Sequence, residues 1–522
     1  MRKRKPMFLL LSALLMMTMV TAACTKKEEA KPSASESSSP QKSAGASEQA
    51  SEPSALEPVE LTYYFPGTPQ RDLALVEAEM NKILKEKINA TIKLNLLDWG
   101  SFEQKMNVMS GAGDSFDLMF TAPWINNYYQ NVAKGALLPL DDLLDQYAPK
   151  TKAAVPQSVW DSTKINGKIY GSINWQIVAM PYGVSIRKDL ADKYKLDLSQ
   201  MTKYEQLEPF FEQIVQNDKG VTPMSFQNNY DNFTVQAPYF GMDTIGEDAS
   251  PGWYYLNKPE VKVVNQYATP EFKQFIDLMY QWNQKGYIRK DASSITDTTS
   301  DFKAGKYAAN VGFPVKPGAE GELKTRYGFE FVTKAFSQPL ITTGRAIATM
   351  TGISKTSKNP ERAMMFIELI NSDKDLYNLL CHGIEGKHYV FTNKDKGVIG
   401  LPEGVKPEEV GYTPGTDWMF GNQFNGFYAS EADVGNWDKT IELNNQAVSS
   451  SLLGFNFNPD PVKTELTQTA SVTKQYLSAL TTGTVDPNKV LPTFLDKLKA
   501  AGADKIAAEK QKQIDEWISS KK

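Results

Sequence analysis

From Glu60 onward, apolar side chains recur along the chain at two alternating spacings. The run Glu60-Leu-Thr-Tyr-Tyr-Phe65 reads as a strand closed by Pro66-Gly67. Thr68 followed by Pro69 then predicts a helix start, an N-cap with proline at the first helical position. Leu73, Val76, Met80, Ile83, Leu84 and Ile88 follow at helical spacing and define one buried face. A second strand over 91–97 ends at Asp98-Trp99-Gly100, and Ser101 with Gln104 three residues on predicts a capping box. A third strand over 116–120 ends at Thr121-Ala-Pro-Trp124. Strand, helix, strand in this order predicts an α/β fold with a parallel sheet. In open sheets of that kind ligands gather at the carboxyl ends of the strands, here the segments 66–70, 98–101 and 121–126.

Later elements are punctuated in the same way. Thr269-Pro270 opens a helix with Phe272, Phe275, Ile276 and Met279 on one face and Gly286 at its end. Asn359-Pro360 opens another with Ala363, Phe366, Ile367 and Ile370 on its inner side. Asp486-Pro487 and the run 504–517 give two C-terminal helices separated near Gly502. No internal repeat or heptad pattern interrupts this organisation.

The N-terminus departs from the pattern. Four basic residues, Arg2 to Lys5, precede an apolar run from Met7 to Val20, and Thr21-Ala22-Ala23 leads to Cys24. This reads as a signal peptide over 1–23, with Cys24 at the position that a bacterial lipobox diacylates; Thr21 stands where such motifs prefer Leu. Two acyl chains are what stable anchoring requires. The tract 24–57 is rich in Ser, Ala, Glu, Lys and Pro with almost no large apolar side chains, the composition of a disordered tether.

Cys381 is the single cysteine after Cys24, so an internal disulfide is excluded and the core itself must carry stability. About 460 residues follow the tether, enough for two sizeable domains. The net charge is −4, and more negative without the four basic residues of the leader, which argues against nucleic acid as a partner. Walker-type phosphate loops, G-x-S-x-G elbows and H-E-x-x-H helices are absent. His382, Glu385 and His388 come nearest to a metal-ligand set, but Gly383, Gly386 and Lys387 between them read as a polar loop, and neither metal nor cofactor is expected.

The aromatic content stands out, at 11% with nine tryptophans. Trp99 beside Asp98, Trp124 beside Asn126 and Asn127, Trp175 beside Asn174, and Trp418 between Asp417 and Asn422 each join a flat apolar ring to amide or carboxylate groups. Sugars, whose apolar C–H faces are flanked by hydroxyls, need that combination. Trp160, Trp282 and Trp517 lie within or beside helical patterns and read as packing residues. No pair of carboxylates is singled out for glycoside hydrolysis.

Leu138-Pro-Leu-Asp-Asp142, Gly167-Lys-Ile-Tyr-Gly171, Ser185-Ile-Arg-Lys-Asp-Leu190, Gly352-Ile-Ser-Lys-Thr-Ser-Lys-Asn-Pro-Glu361 and the stretch from Asn456 to Trp517, together with Cys24, resemble an extracellular solute-binding lipoprotein of the sugar-importer type. The resemblance implies a two-lobed periplasmic-binding-protein-like fold with hinge strands and a cleft between lobes. By it, 58–182 and about 345–390 form the first α/β lobe, and 183–344 with about 391–522 the second, with crossings near Tyr182-Gly183 and Thr342-Gly344. The implied cleft is lined by Thr68, Gln70, Asp98, Trp99, Thr121, Trp124, Asn174 and Trp175, closed from the other side by Phe313, Trp418 and Asn422. Phe313 departs from the tryptophan common in that neighbourhood. The implied role is a monomeric, membrane-anchored binder of an oligosaccharide, handed to ABC permease subunits and not processed by catalysis. Ligand presentation to a sensor, peptide binding by the same fold and a surface glycoside hydrolase are the alternative readings.

Overall fold

The computed structural model describes residues 56–226, 232–246 and 249–521, so the leader, Cys24 and the tether up to Ala55 lie outside the described residues. The chain begins β1 (Val59–Pro66), α1 (Leu73–Ile88), β2 (Ala90–Leu97), α2 (Trp99–Ala112), β3 (Leu118–Thr121). Short helices lead to β4 (Ser172–Ile173), and the chain then forms β5 (Gly183–Arg187), β6 (Thr222–Ser225), α3 (Pro270–Gln284), β7 (Tyr307–Asn310) and β8 (Phe331–Ala335). β9 (Leu340–Ile341) precedes β10 (Met350–Ile353), α4 (Pro360–Ser372) and α5 (Lys374–His382). The last elements are α6 (Asn436–Gln446), β11 (Val448–Ser449), α7 (Lys463–Thr481), α8 (Pro487–Ala500) and α9 (Ala503–Ser520).

These strands form two main sheets. The first has the order β2-β1-β3-β10-β4, with β1 parallel to both β2 and β3 and β10 antiparallel to β3. The second has the order β8-β5-β7-β6, in which β7 and β6 are parallel. Each sheet has its own core. Leu61, Tyr63, Val76, Met80, Leu118 and Phe366 are buried in the first; Val184, Ile186, Phe211, Met224, Phe275 and Trp282 in the second. Full burial of one such side chain stabilises the fold by roughly 1.5–3 kcal/mol. α7 and α8 add Leu477, Leu480, Phe494 and Leu498 to the second core. Ile506 and Ile514 of α9 make a smaller cluster with Leu452, Phe455 and Phe457. Trp160 and Trp282 are fully buried, as their helical context suggests. Among the described residues no helix is long and apolar enough to cross a membrane.

Two helix starts differ from expectation. The segment 67–70 is not helical; α1 begins at Leu73, because Gln70 accepts a hydrogen bond from Thr413 N (2.7 Å) and Asp72 N donates to Gly411 O (3.0 Å), holding this stretch against a distant loop. α2 begins at Trp99, with Asp98 as the cap accepting from Gly100 N at 2.9 Å in place of Ser101. α3 starts where expected, with the Thr269 hydroxyl accepting from Phe272 N.

The chain leaves the first sheet after Ile173 and enters the second at Gly183, then returns between Ala335 and Met350. A third passage, around β11, pairs in parallel with β9 of the second. Asn444 of α6, 4% exposed, ties the first passage to this bundle: its side-chain oxygen accepts from Val178 N and Ala179 N, and its nitrogen donates to Gln176 O. Gly183 serves close approach, since a Cβ there would lie 2.0 Å from Lys334 O. Residues 410–424, placed in the second lobe by the resemblance, pack on the first sheet: Tyr412, Met419 and Phe420 are buried in its core, and the Phe420 ring meets Phe65 edge-on at 5.0 Å. Aromatic burial against β1 outweighs their position late in the chain.

Candidate functional site

The carboxyl ends of parallel strands β2 and β3 carry Trp99 and Trp124, and a short helical turn over Asp417–Met419 brings Trp418 to them. The ring centroids are 6.2 Å apart for Trp99–Trp124, 6.4 Å for Trp99–Trp418 and 6.1 Å for Trp124–Trp418, a nearly equilateral triangle. Trp99 lies within 26° of parallel to both partners. Trp124 is 52% exposed, an uncommon position for so large an apolar ring, and Trp99 and Trp418 are half-buried.

Backbone and amide groups fix these rings. The Trp124 indole N–H donates to Ala348 O at 2.7 Å, and Gln176 Nε2 donates to Trp418 O (3.0 Å) and to the Thr349 hydroxyl (2.8 Å). Asp98 is exposed beside Trp99, one carboxylate oxygen engaged as the helix cap. The result is a preformed aromatic surface edged by a carboxylate, the arrangement that accepts the C–H face of a polar ring molecule.

The other expected cleft residues divide. Thr121 is buried and donates its hydroxyl to Asn126 O at 2.6 Å, a support for the loop that carries Trp124. Asn174 is buried, with its amide donating to Met419 O and accepting from the Thr351 hydroxyl at 3.2 Å. Trp175 is 5% exposed and packs edge-on against Phe424 at 5.8 Å. These three are scaffold: Thr121 supports the Trp124 loop, and Asn174 and Trp175 pin the 417–424 loop to the first sheet. Gln70 spends both ends of its amide, on Thr68 O and Thr413 N, while Thr68 is exposed. Asn422 bridges to the Trp175 strand and caps the turn at Phe424. Phe313 lies on the second sheet's side under the Arg326 guanidinium, 5.1 Å from its ring centroid. Gln176, the amide on the other side of Trp175 in the Asn-Trp-Gln run, is the residue that holds the Trp418 carbonyl.

His382, Glu385 and His388 do not converge. Among the described residues no group of three or more His, Cys, Asp or Glu is placed to hold a metal. His382 stacks on Phe427 at 6.1 Å and Glu385 pairs with Lys394. His388 is buried; its Nδ1 accepts from Ile384 N (2.9 Å), so its Nε2–H donates to Asp72 at 3.2 Å. Burial pushes the pKa of both histidines below the usual 6.5, and the Asp72 carboxylate offsets this only in part for His388. Burial raises the pKa of Asp72, but hydrogen bonds from His388 and Lys387 bring it below the ordinary aspartate value. A native state with depressed histidine pKa values binds fewer protons than the unfolded chain, so stability is lost as pH falls below about 6.5. The melting temperature is expected to decline from pH 7.5 to pH 5, and the His388→Gln variant to show a shallower decline. A flat profile for the wild type contradicts this.

A family model for bacterial extracellular solute-binding proteins matches residues 70–376, more than half of the chain. The chain belongs to this family. A second family model, for a domain of unknown function (DUF3502), matches residues 451–519, the segment of α7 to α9. This solute-binding protein is homologous to a carbohydrate ABC transporter substrate-binding protein of Streptococcus pneumoniae serotype 4, at 29% identity over 92% of this chain and 94% of the relative. Its structure is similar to that of the N-glycan transport solute-binding protein NgtS of Streptococcus pneumoniae, with a TM-score of 0.77, 28% identity, and coverage of 89% of this chain and 100% of that one. Against NgtS in complex with Man1GlcNAc and with Man5GlcNAc the TM-scores are 0.66 and 0.63. An extracellular solute-binding protein of Bifidobacterium longum subsp. infantis, 15% identical over 88% of this chain and 98% of its own length, shares the fold at a TM-score of 0.60. The two-lobed α/β architecture and the membership of a family of extracellular binding proteins, not enzymes, are therefore as the sequence led us to expect.

Proposed function

We propose that this protein is the lipid-anchored, monomeric receptor of an ABC-type importer and captures an oligosaccharide containing mannose and N-acetylglucosamine. The observation that carries the reading is the triangle of Trp99, Trp124 and Trp418 at the carboxyl ends of β2 and β3. The glycans named in the NgtS complexes support this ligand class, and the homologous carbohydrate ABC transporter substrate-binding protein supports release to membrane permeases as the route. With identity at 28–29% throughout, the drop in TM-score from 0.77 to 0.63 across the NgtS structures supports a rearrangement of the lobes on glycan binding, with the three passages between the sheets as the hinge.

A thermal-shift panel of mono- and oligosaccharides tests this. A ligand bound by the folded state alone stabilises it by about 2.7 kcal/mol at a concentration of about 100 Kd. Mannose-containing glycans are expected to raise the melting temperature; a peptide pool that does so while every glycan fails overturns the carbohydrate reading.

Anchoring is proposed to rest on Cys24, through a diacylglycerol thioether with both chains in the membrane. The wild type is expected to partition into detergent, and Cys24→Ser to shift to the aqueous phase and the culture medium. Equal partitioning of both refutes the anchor.

A further inference from the structure

The second lobe contains a pocket at the carboxyl ends of its own parallel strands. Phe226, directly after β6, and Val311, directly after β7, line it together with Tyr204, Glu205 and Tyr239. This edge of the second sheet adjoins the passages to the first: Val315 N donates to Pro181 O (2.9 Å), and Phe336 N to Tyr182 O (3.0 Å). The Tyr204 ring packs edge-on against both Phe336 (4.8 Å) and Tyr239 (4.9 Å), which fixes the pocket wall to that same end. Ligands of open α/β sheets collect there.

One atom in the pocket stands out. Among the described residues Glu205 Oε2 is buried and has no hydrogen-bond partner. Buried acceptors in folded proteins are almost always paired, and an unpaired one on a residue that lines a cavity marks a place where an incoming donor completes the pairing. A carboxylate only accepts, so the group it receives must carry an O–H or N–H. The cavity is about 10 Å³, room for about one water-sized group. Its aromatic walls offer nothing to a second charge. Tyr239 is half-buried, and Gln274, exposed, lies at the rim. Burial and then the nearby Glu205 charge raise the Tyr239 phenol pKa, in keeping with the closeness of the two groups.

We propose that Glu205 is the second lobe's specificity determinant: its Oε2 accepts a single hydroxyl of the bound glycan while the sugar ring bearing that hydroxyl rests on Tyr239. This inference rests on the glycan reading above and adds the contact through which the second lobe holds a ligand seated on the three tryptophans.

The test is calorimetric titration of the intact protein with Man5GlcNAc and Man1GlcNAc. Glu205→Gln preserves shape and removes the charge, and it is expected to weaken binding about tenfold or more, as loss of a charge-assisted hydrogen bond does, with the unliganded melting temperature unchanged. A series of mono-O-methylated Man1GlcNAc compounds checks the same contact without altering the protein. One methyl ether is expected to lose most of its affinity for the wild type, because the cavity admits a hydroxyl and no more, and to lose nothing further against Glu205→Gln. If Glu205→Gln and all methyl ethers bind within twofold of the parent pair while Trp99→Ala abolishes binding, the Glu205 contact is overturned and the glycan reading stands. If the wild type binds no glycan, both fall together.

Discussion

Trp418→Ala and Trp99→Ala are each expected to weaken glycan binding by about thirtyfold or more, the effect of truncating an aromatic hot spot worth about 2 kcal/mol. Each substitution removes one corner of a triangle whose sides are all close to 6 Å, so the remaining two rings lose the neighbour they pack against. The fold is expected to survive, because Trp99 and Trp418 are packed against the first core at its margin and neither is fully buried. Trp124→Ala is expected to act in the same direction with the least cost in stability, since its ring is 52% exposed. Calorimetric titration of the three variants, each with its melting temperature, is the check. Binding within threefold of wild type for all of them removes the tryptophans from the site.

Gly421→Ala is expected to lower stability by about 2–4 kcal/mol and to impair binding together with it. Gly421 has φ +40°, and a Cβ there would stand 2.2 Å from Ile370 O, a backbone atom of α4 that cannot yield. The same residue accepts the Trp175 N–H at 2.6 Å, and Gln423 N donates to Trp175 O at 2.8 Å, so displacing it breaks a two-bond bridge. The turn Asp417–Met419, which carries Trp418, lies directly before this bridge. Urea denaturation gives the stability change, and titration at a temperature where the variant is folded gives the binding. A variant with wild-type stability contradicts the described backbone geometry.

The expected β-α-β-α-β opening was legible because its signals are local. Val76, Met80, Leu84 and Ile88 mark the buried face of α1 by spacing alone, β1 and β2 alternate buried with less buried positions, and β3 is a continuous buried run. The start of α2 failed locally, since Asp98 caps it three residues before Ser101, whereas the start of α1 depended on partners far along the chain. The N-cap signal at Thr68-Pro69 was overridden by Gln70 and Asp72 binding the 411–413 loop, more than 330 residues away. The tryptophans show the same limit. Trp99, Trp124, Trp175 and Trp418 share one local signature, a ring beside an amide or carboxylate, yet three converge at a surface and Trp175 is buried beneath it. Nothing adjacent in sequence distinguishes them, since burial of Trp175 follows from its bridge to Asn422. Glu205 gave no signal at all, being one of 61 acidic residues until the fold leaves its oxygen unpaired.

The most direct test of glycan capture is titration of the purified protein with Man5GlcNAc, followed by calorimetry and by tryptophan fluorescence in the same samples. The account predicts saturable binding with one site per chain, a change in indole emission as the ligand covers Trp99, Trp124 and Trp418, and loss of both signals in Trp99→Ala. A folded protein that gives neither heat nor a fluorescence change with this or any other glycan of the panel contradicts it.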